Sequence, residues 1–342
     1  MPQDNRIQQI TQWLATELKL PPFRLEPASE DASFRRYFRM TPKEAGARSL
    51  IVMDAPPEKE PLEPFTTIAE QLFNIGLNVP EILARNVEAG FLLLGDLGST
   101  SYLDRLNNET VDRLYGDALG ALAVLQSCGP EALPPYDKPL LLSEMALFRD
   151  WFIGKHLALE LDETESQQLS TLLEALADSA LEQPQVPVHR DYHSRNLMVD
   201  SHNPGIIDFQ DAVVGPVTYD LVSLLRDCYI AWPEVQVAEW VEGYHDIALD
   251  HGILRQPNTR QFKRWFDWMG VQRHLKAIGI FSRLYHRDGK PGYLKDIPRT
   301  LNYLIEVSDH YPELAAFHTL LIDKIMPALD THKAAQQAEK NR

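Results

Sequence analysis

The sequence has few of the features that mark secreted, zinc-binding or membrane proteins. Its only two cysteines, Cys128 and Cys228, lie far apart and match neither a zinc spacing nor a disulfide framework. No apolar run approaches the roughly 18–20 residues that cross a bilayer. The N-terminal segment also lacks the basic region and apolar core of a secretory signal. We therefore expect a cytoplasmic protein with reduced thiols and no membrane association.

Positive charge is also scarce in this chain. The 33 lysines and arginines are outnumbered by 49 acidic residues, which gives a net charge of −16. This balance argues against general nucleic-acid binding, which needs a basic face. The remaining composition, 44% hydrophobic and 24% charged, is typical of a globular protein. A length of 342 residues allows two lobes, and the oligomeric state stays open.

Hydrophobic periodicity divides the chain into a β-rich beginning and a helical remainder. Short apolar segments predict strands at Ser49–Met53, Val79–Leu83 and Gly90–Leu94, and residues 65–75 show helical spacing. The segment Gly95–Gly98 then breaks the last strand. We predict an α/β (α+β) fold with a small N-terminal nucleotide-binding lobe at residues 1–95. A larger, mainly helical catalytic and substrate lobe would follow at residues 96–342.

One motif indicates chemistry directly. His189–Asn196 follows the pattern H-R-D-x-x-x-x-N, and Asp208 follows an apolar pair, as in the catalytic loop and metal-binding strand of protein-kinase-like phosphotransferases. Asp191 would orient the acceptor hydroxyl and accept its proton. Asn196 and Asp208 would bind Mg²⁺, which prefers oxygen ligands. Because a short hairpin is predicted between these two residues, both side chains would lie at the same end of it.

The surrounding residues resemble a known family. The segments V-H-R-D-Y-H-S-R-N-L-M-V and I-I-D-F-Q-D-A-V-V-G-P-V-T-Y-D-L are similar to those of the aminoglycoside phosphotransferase and choline kinase family. The resemblance covers roughly residues 25–230. It implies a bilobal protein-kinase-like fold, ATP and Mg²⁺ as cofactors, and adenine bound against the connector at Asp96 and Leu97. Eukaryotic-type protein kinases fit less well, because no A-P-E element follows Asp208.

Three further segments resemble one bacterial group within that family. Ser33–Arg39, Val52–Pro57 and Trp265–Lys276 are similar to amino-sugar kinases of cell-wall (peptidoglycan) recycling. That resemblance implies transfer of phosphate to the anomeric hydroxyl of N-acetylmuramate, N-acetylglucosamine or both. Two alternatives stay open. One is a kinase for another small hydroxyl acceptor, such as an aminoglycoside, choline or homoserine, and the other is a nucleotide-binding pseudokinase without turnover.

The chain departs from the wider family pattern where the phosphates would bind. Met53 stands where a strand lysine is expected, and Ser29–Ser33 contains no glycine to form a phosphate-covering loop. The cation that contacts the phosphates must therefore come from elsewhere. Arg35 and Arg36 are the candidates, with surface charge on a strand as the alternative interpretation.

A basic segment favours an anionic acceptor. Residues 263–290 contain nine lysine, arginine or histidine residues but only two acids, Asp267 and Asp288. A sugar acid would favour such a basic pocket, whereas a polycationic aminoglycoside would favour an acidic one. Arg273, His274 and Lys276 are the candidate substrate-binding residues. The alternative is a set of amphipathic helices with cationic outer faces.

Overall fold

The computed structural model describes residues 5–30, 34–44, 46–130 and 132–340, and the chain divides into two compact units. The β-rich unit comprises Met1–Val124, Cys128–Pro130 and Arg195–Asp211. The helical unit comprises Leu125–Ser127, Glu131–Ser194 and Ala212–Arg342. The chain thus returns to the β-rich unit within the motif His189–Asn196, at Arg195. A lobe boundary at residue 95 stays a prediction.

The β-rich unit is built on a five-stranded antiparallel sheet. In sheet order its strands are β1 (Phe23–Glu30), β2 (Arg36–Pro42), β3 (Leu50–Asp54), β5 (Phe91–Gly95) and β4 (Ile82–Asn86). Helix α1 (Asn5–Gln12), which continues as a π-helical turn at Trp13–Glu17, precedes the sheet, and α2 (Glu63–Asn74) lies between β3 and β4 in the chain. The expected strands and helix are present. β4 begins only after Pro80, because proline has no amide hydrogen to give to a ladder.

The two faces of this sheet have different roles. Successive side chains on a strand point to opposite faces. Phe38, Val52 and Leu93 lie opposite one another on adjacent strands. Together with Trp13 they form a hydrophobic core. On the opposite face the neighbouring positions in the same ladder are Arg39, Ile51 and Leu94, and all three line a cavity. The sheet therefore uses one face for stability and leaves the other for a ligand.

A short hairpin completes the β-rich unit. Its strands β7 (Leu197–Met198) and β8 (Gly205–Ile206) are antiparallel, as the sequence predicts. The hairpin is held by backbone hydrogen bonds to the connector after β5, including the one from the Tyr102 amide to the Leu197 carbonyl, 2.7 Å long. A Cβ atom at Gly205 would lie 3.1 Å from Cδ1 of Leu97, so the hairpin packs closely against the connector at this position.

The helical unit contains a small antiparallel pair of strands and most of the helices. The strands are β6 (Gln185–Val188) and β9 (Val213–Pro216). Helix α3 (Val111–Cys128) leads from the β-rich unit. The other helices are α4 (Lys138–Leu147), α5 (Glu163–Leu181), α6 (Tyr219–Leu225), α7 (Glu234–Asp250), α8 (Thr259–Asp288), α9 (Ile297–His310), α10 (Ala315–Leu320) and α11 (Met326–Lys340). Shorter helical turns occur at Phe148–His156, Pro291–Asp296, Pro312–Leu314 and Leu321–Ile325.

Helix α8 is the centre of the helical unit. It contacts α4, α5, α6, α7 and α9, and it is buried over most of the stretch from Phe262 to Leu284. The alternative interpretation of this segment, a helix with a cationic outer face, is therefore wrong for Arg273, His274 and Lys276, which are all buried. No helix in the described residues is long and apolar enough to span a membrane.

Three histidines from separate elements meet in the helical unit. Nδ1 of His156 lies 3.3 Å from Nε2 of His286, and its ring centroid lies 4.5 Å from that of His332. Burial, together with the charge of His332 and His286, lowers the pKa of His156 to about 4. The fold therefore holds this ring neutral near pH 7.

We expect this ring to make the protein sensitive to acid. Its contribution to stability is complete above the usual histidine pKa of 6.5 and is lost as the pH falls toward 4. The loss corresponds to about 3 kcal/mol. His156→Phe keeps a ring beside Phe152 and should flatten the acid slope of the free energy of unfolding, measured in urea between about pH 7 and pH 4. The exposed His251→Gln is the control, and equal slopes in all three proteins would contradict the assignment.

Candidate active site

The catalytic loop begins where β6 ends, and a buried carboxylate holds its backbone. Asp220, in the first turn of α6, accepts hydrogen bonds from the amides of His189 (2.6 Å) and Arg190 (3.0 Å). Arg190 adopts a positive φ of 76°, which is rare for a residue with a side chain. The two bonds to Asp220 stabilise this turn and fix the position from which Asp191 projects. Asp220 therefore braces the backbone of the catalytic loop.

Asp191 lies in a positively charged environment within the helical unit. It is half-buried. Burial alone would raise its pKa, but Lys276, His193 and Arg273 outweigh that effect and hold the pKa of Asp191 below its usual value. The carboxylate is therefore ionised at neutral pH, as a group that accepts a hydrogen bond from a hydroxyl must be.

The cation that acts most strongly on Asp191 is itself held in a network. Nζ of Lys276 lies 3.1 Å from Oε1 of Glu144 and donates to the Tyr219 hydroxyl at 3.0 Å. Glu144 also pairs with Arg190 and accepts a hydrogen bond from Tyr136. Glu144 therefore balances part of the positive charge beside Asp191. Sequence reasoning missed this glutamate, since it lies on α4, far from the motif in the chain.

The structure separates the three candidate substrate-binding residues of α8. Arg273 and Lys276, one helical turn apart, both act on the charge of Asp191. His274 instead stacks on Tyr303 with ring centroids 4.8 Å apart and donates from Nε2 to the Arg226 carbonyl at 2.9 Å. Burial lowers the pKa of His274 to about 3. These contacts give His274 a packing role, and its assignment to substrate binding stays a prediction without further support.

The β-rich unit contains a cavity of about 430 Å³. Its walls include the apolar side chains of Ala28, Ile51, Leu94, Met198 and Ile207. Leu97 lines it beside the polar residues Asp96 and Ser99 of the connector after β5, and Asn196 and Asp208 come from the hairpin. An apolar slot flanked by a few polar groups is the usual form of a small-molecule site.

The hairpin brings the two candidate metal ligands together, as the sequence predicts. Nδ2 of Asn196 lies 3.2 Å from Oδ2 of Asp208, and the Ile207 amide donates to the Asn196 carbonyl at 3.1 Å. Gln210 donates to Oδ1 of Asp208 at 2.9 Å. Asp208 has a positive φ of 66°, which turns the chain between the hairpin and Phe209. Their role as metal ligands stays a prediction.

The donor set of this pair fits magnesium. A carboxylate and an amide supply hard oxygen ligands, and Mg²⁺ is usually bound by one or two protein groups together with waters and phosphate oxygens. Among the described residues no cluster of three histidine, cysteine or acidic side chains forms a metal site. The side-chain oxygen of Gln210 is buried and has no hydrogen-bond partner, which leaves an acceptor close to Asp208.

The connector end of the cavity is organised by an ion pair. Arg39 approaches both carboxylate oxygens of Asp96, at 2.7 and 3.1 Å. Ser49 donates to the same carboxylate at 2.6 Å, and the Gly98 amide does so at 2.9 Å. Burial alone would raise the pKa of Asp96, but these hydrogen bonds lower it. The Asp96 side chain thus shapes the connector, while Leu97 packs toward Gly205.

The two candidate phosphate-binding arginines are engaged in other ion pairs. Arg35 lies 3.0 Å from Glu60. Arg36 donates from Nε to Asp54 at 3.0 Å. Neither belongs to the described lining of the cavity, so their role toward phosphate stays a prediction. Residues 31–33 of the glycine-free segment Ser29–Ser33 lie outside the described residues.

Two arginines that sequence reasoning passed over do line the cavity. They are Arg39 and Arg195. The alternation of β2 offered a signal for Arg39, because Tyr37 and Arg39 share a face opposite to Phe38. Arg195 lies inside the catalytic motif, where it stands directly before Asn196. Met53, at the position expected for lysine, is fully buried, and Ile51 is the β3 residue that lines the cavity.

The antiparallel sheet with its ligand cavity, and the helical unit that carries Asp191, define a phosphotransferase of the kinase type. Comparison with known proteins agrees. The model of the phosphotransferase enzyme family matches residues 24–266. The chain belongs to this family and is a kinase, so the predicted resemblance is confirmed.

Two curated relatives are similar over nearly their whole length, and both are named N-acetylmuramate/N-acetylglucosamine kinase. The one from Pseudomonas aeruginosa is 47% identical, and the match covers 94% of this chain and 97% of the relative. The one from Neisseria meningitidis is 43% identical, with coverage of 92% and 95%. Among solved structures, an ADP-bound aminoglycoside phosphotransferase, APH(2'')-Ib, has a TM-score of 0.57 at 17% identity, over 86% of this chain and 97% of that one. This last likeness concerns the fold and confirms the predicted α/β protein-kinase-like class.

Proposed function

We propose that the protein transfers the γ-phosphoryl group of ATP to the anomeric hydroxyl of N-acetylmuramate, N-acetylglucosamine or both. The products are ADP and a sugar 1-phosphate. The observation that carries the proposal is Asp191, placed by the catalytic motif beside Lys276 and Arg273, in a chain whose relatives are named as kinases of these two sugars. The place of this reaction would be peptidoglycan recycling in the cytoplasm, where ATP is supplied.

In this proposal Asp191 acts on the acceptor. Its carboxylate accepts a hydrogen bond from the sugar hydroxyl and orients the oxygen toward the γ-phosphorus. The oxygen–phosphorus bond forms as the bond between the γ-phosphorus and its bridging oxygen breaks, and the hydroxyl proton passes late to Asp191. Lys276 and Arg273 favour the ionised form of Asp191 before transfer.

The β-rich unit supplies the nucleotide site. The adenine would occupy the apolar part of the cavity beside Leu94 and Leu97, where backbone groups of the connector can hydrogen-bond its edge. Asn196 and Asp208 would hold Mg²⁺ at the phosphates. When bound, this ion neutralises phosphate charge and polarises the transferred group.

The local charge of the helical unit supports an acceptor that carries a carboxylate. Arg273 and Lys276 are both buried beside Asp191, and Arg273 has a buried Nε without a hydrogen-bond partner. Lys276 is partly balanced by Glu144, so Arg273 is the better candidate for the lactyl carboxylate of N-acetylmuramate.

An ADP-release assay across four acceptors tests the proposal. We expect turnover with N-acetylmuramate and N-acetylglucosamine and background rates with choline and kanamycin. The matched control is the methyl glycoside of N-acetylglucosamine, which keeps every hydroxyl except the anomeric one and should give no ADP. Rapid ADP release with the methyl glycoside would assign another hydroxyl as acceptor. Nucleotide binding without ADP release on any acceptor would favour a pseudokinase.

A further inference from the structure

The phosphate chain of a nucleotide needs cations. The strand lysine and the phosphate-covering loop that are expected to contact it are missing from this sequence. Strand β3 contains no lysine, and the segment Ser29–Ser33 contains no basic residue. The cavity is itself lined by two acids, Asp96 and Asp208. Both acids would repel a bound polyphosphate, so cationic side chains in the same lining must offset them.

The arginines on or just before β2 already compensate buried carboxylates. Arg36 and Arg6 both bind Asp54, which is fully buried. Arg35 pairs with Glu60. Arg39 lines the cavity, but it holds both oxygens of Asp96 and also donates to the Gly98 carbonyl at 2.9 Å. Moving Arg39 away would leave the Asp96 carboxylate, which is only 4% exposed, without its counter-ion at a high cost.

Arg195 is the other cation in the described lining of the cavity. It is the sequence neighbour of Asn196, and it shares the cavity with Asn196 and Asp208. It is half-buried, so it is accessible to a ligand in the cavity. A planar guanidinium can bind phosphate through two parallel N–H donors.

We propose that Arg195 binds the phosphate chain of the nucleotide and replaces the missing strand lysine. The inference rests on the nucleotide use in the proposed function. It assigns phosphate recognition to the catalytic loop rather than to the sheet. Arg39 instead holds the connector through Asp96.

Calorimetric binding of adenosine and ADP to the full-length protein tests this role. Arg195→Gln should weaken ADP by about 10- to 100-fold, the range for a lost charge-assisted hydrogen bond, and should leave adenosine within about two-fold. Arg195→Lys keeps the charge and should recover part of the ADP affinity. Arg105→Gln is the matched control, because Arg105 is exposed and is absent from the cavity lining.

Two results would overturn the assignment. One is unchanged ADP affinity in Arg195→Gln. The other is an equal loss for adenosine and ADP at an unchanged melting temperature, which would mean that Arg195 shapes the cavity. Neither ligand involves the amino-sugar acceptor. If the wild type phosphorylates no amino sugar while Arg195→Gln loses ADP selectively, the proposed acceptor is wrong and the role of Arg195 stands. A wild type that binds neither adenosine nor ADP would refute both.

Discussion

Replacing Asp191 by asparagine is expected to lower kcat on the amino sugars by about 10²–10⁴-fold, the usual contribution of a positioned general base. Asparagine keeps the size of the side chain but cannot take the proton of the attacking hydroxyl. ADP affinity should change by less than about two-fold, because Asp191 serves the acceptor and not the nucleotide. Steady-state rates and calorimetric ADP binding on the same preparations separate the two effects.

The pH profile distinguishes this chemical role from a structural one. Lys276 and Arg273 lower the pKa of Asp191, so the rate should stay constant down to acidic pH and fall only when the carboxylate is protonated. Lys276→Met removes one of these charges and should move the acidic limb of the kcat profile to higher pH. Asp246→Asn, at an exposed site on α7, is the control. Near-normal rates in Asp191→Asn would show that the assigned base is wrong.

The local sequence pattern was sufficient to predict that the two candidate metal ligands lie close together. Asn196 and Asp208 are joined by a hairpin of a few residues, so the pattern of two short strands around a turn already places them at one end. The structure gives that arrangement, with the two side chains 3.2 Å apart.

Contacts between distant segments explain what the sequence did not predict. The basic segment at residues 263–290 suggested a single positive pocket, but its charges are paired with separate partners. Lys276 meets Glu144, and Arg264 meets Glu313. Neither partner lies near the segment in the chain, and no periodic pattern links them. Composition therefore overestimated the positive charge available to a substrate.

The same limitation applies to the arginines of the N-terminal segment. Arg35 and Arg36 stood out because they are adjacent and follow the segment Ser29–Ser33, where the phosphate-covering loop is missing. Their carboxylate partners, Glu60 and Asp54, are joined to them only by the folding of the sheet. Burial of a carboxylate favours a counter-ion beside it. An arginine that pairs with a buried acid such as Asp54 therefore has a structural role.

The second large effect is expected at Asp208. Asp208→Asn should abolish most of the gain in ATP affinity that Mg²⁺ provides and should lower kcat by about two orders of magnitude or more, since a bound metal stabilises the transition state by several kcal/mol. Asparagine is the informative replacement. Asp208 has a φ of 66°, a left-handed conformation that asparagine adopts readily, whereas alanine at this position would add backbone strain to the loss of the ligand.

Calorimetric titration of ATP with and without MgCl₂ measures the metal-dependent part directly. Wild type should bind ATP more tightly with the metal, and Asp208→Asn should bind it about equally under both conditions. Affinity without metal should not fall in the variant, because removing the negative charge of Asp208 reduces repulsion of the phosphates. A variant that keeps the full response to Mg²⁺ would place the ion elsewhere and would leave Asn196 and Asp208 as a structural pair that closes the hairpin.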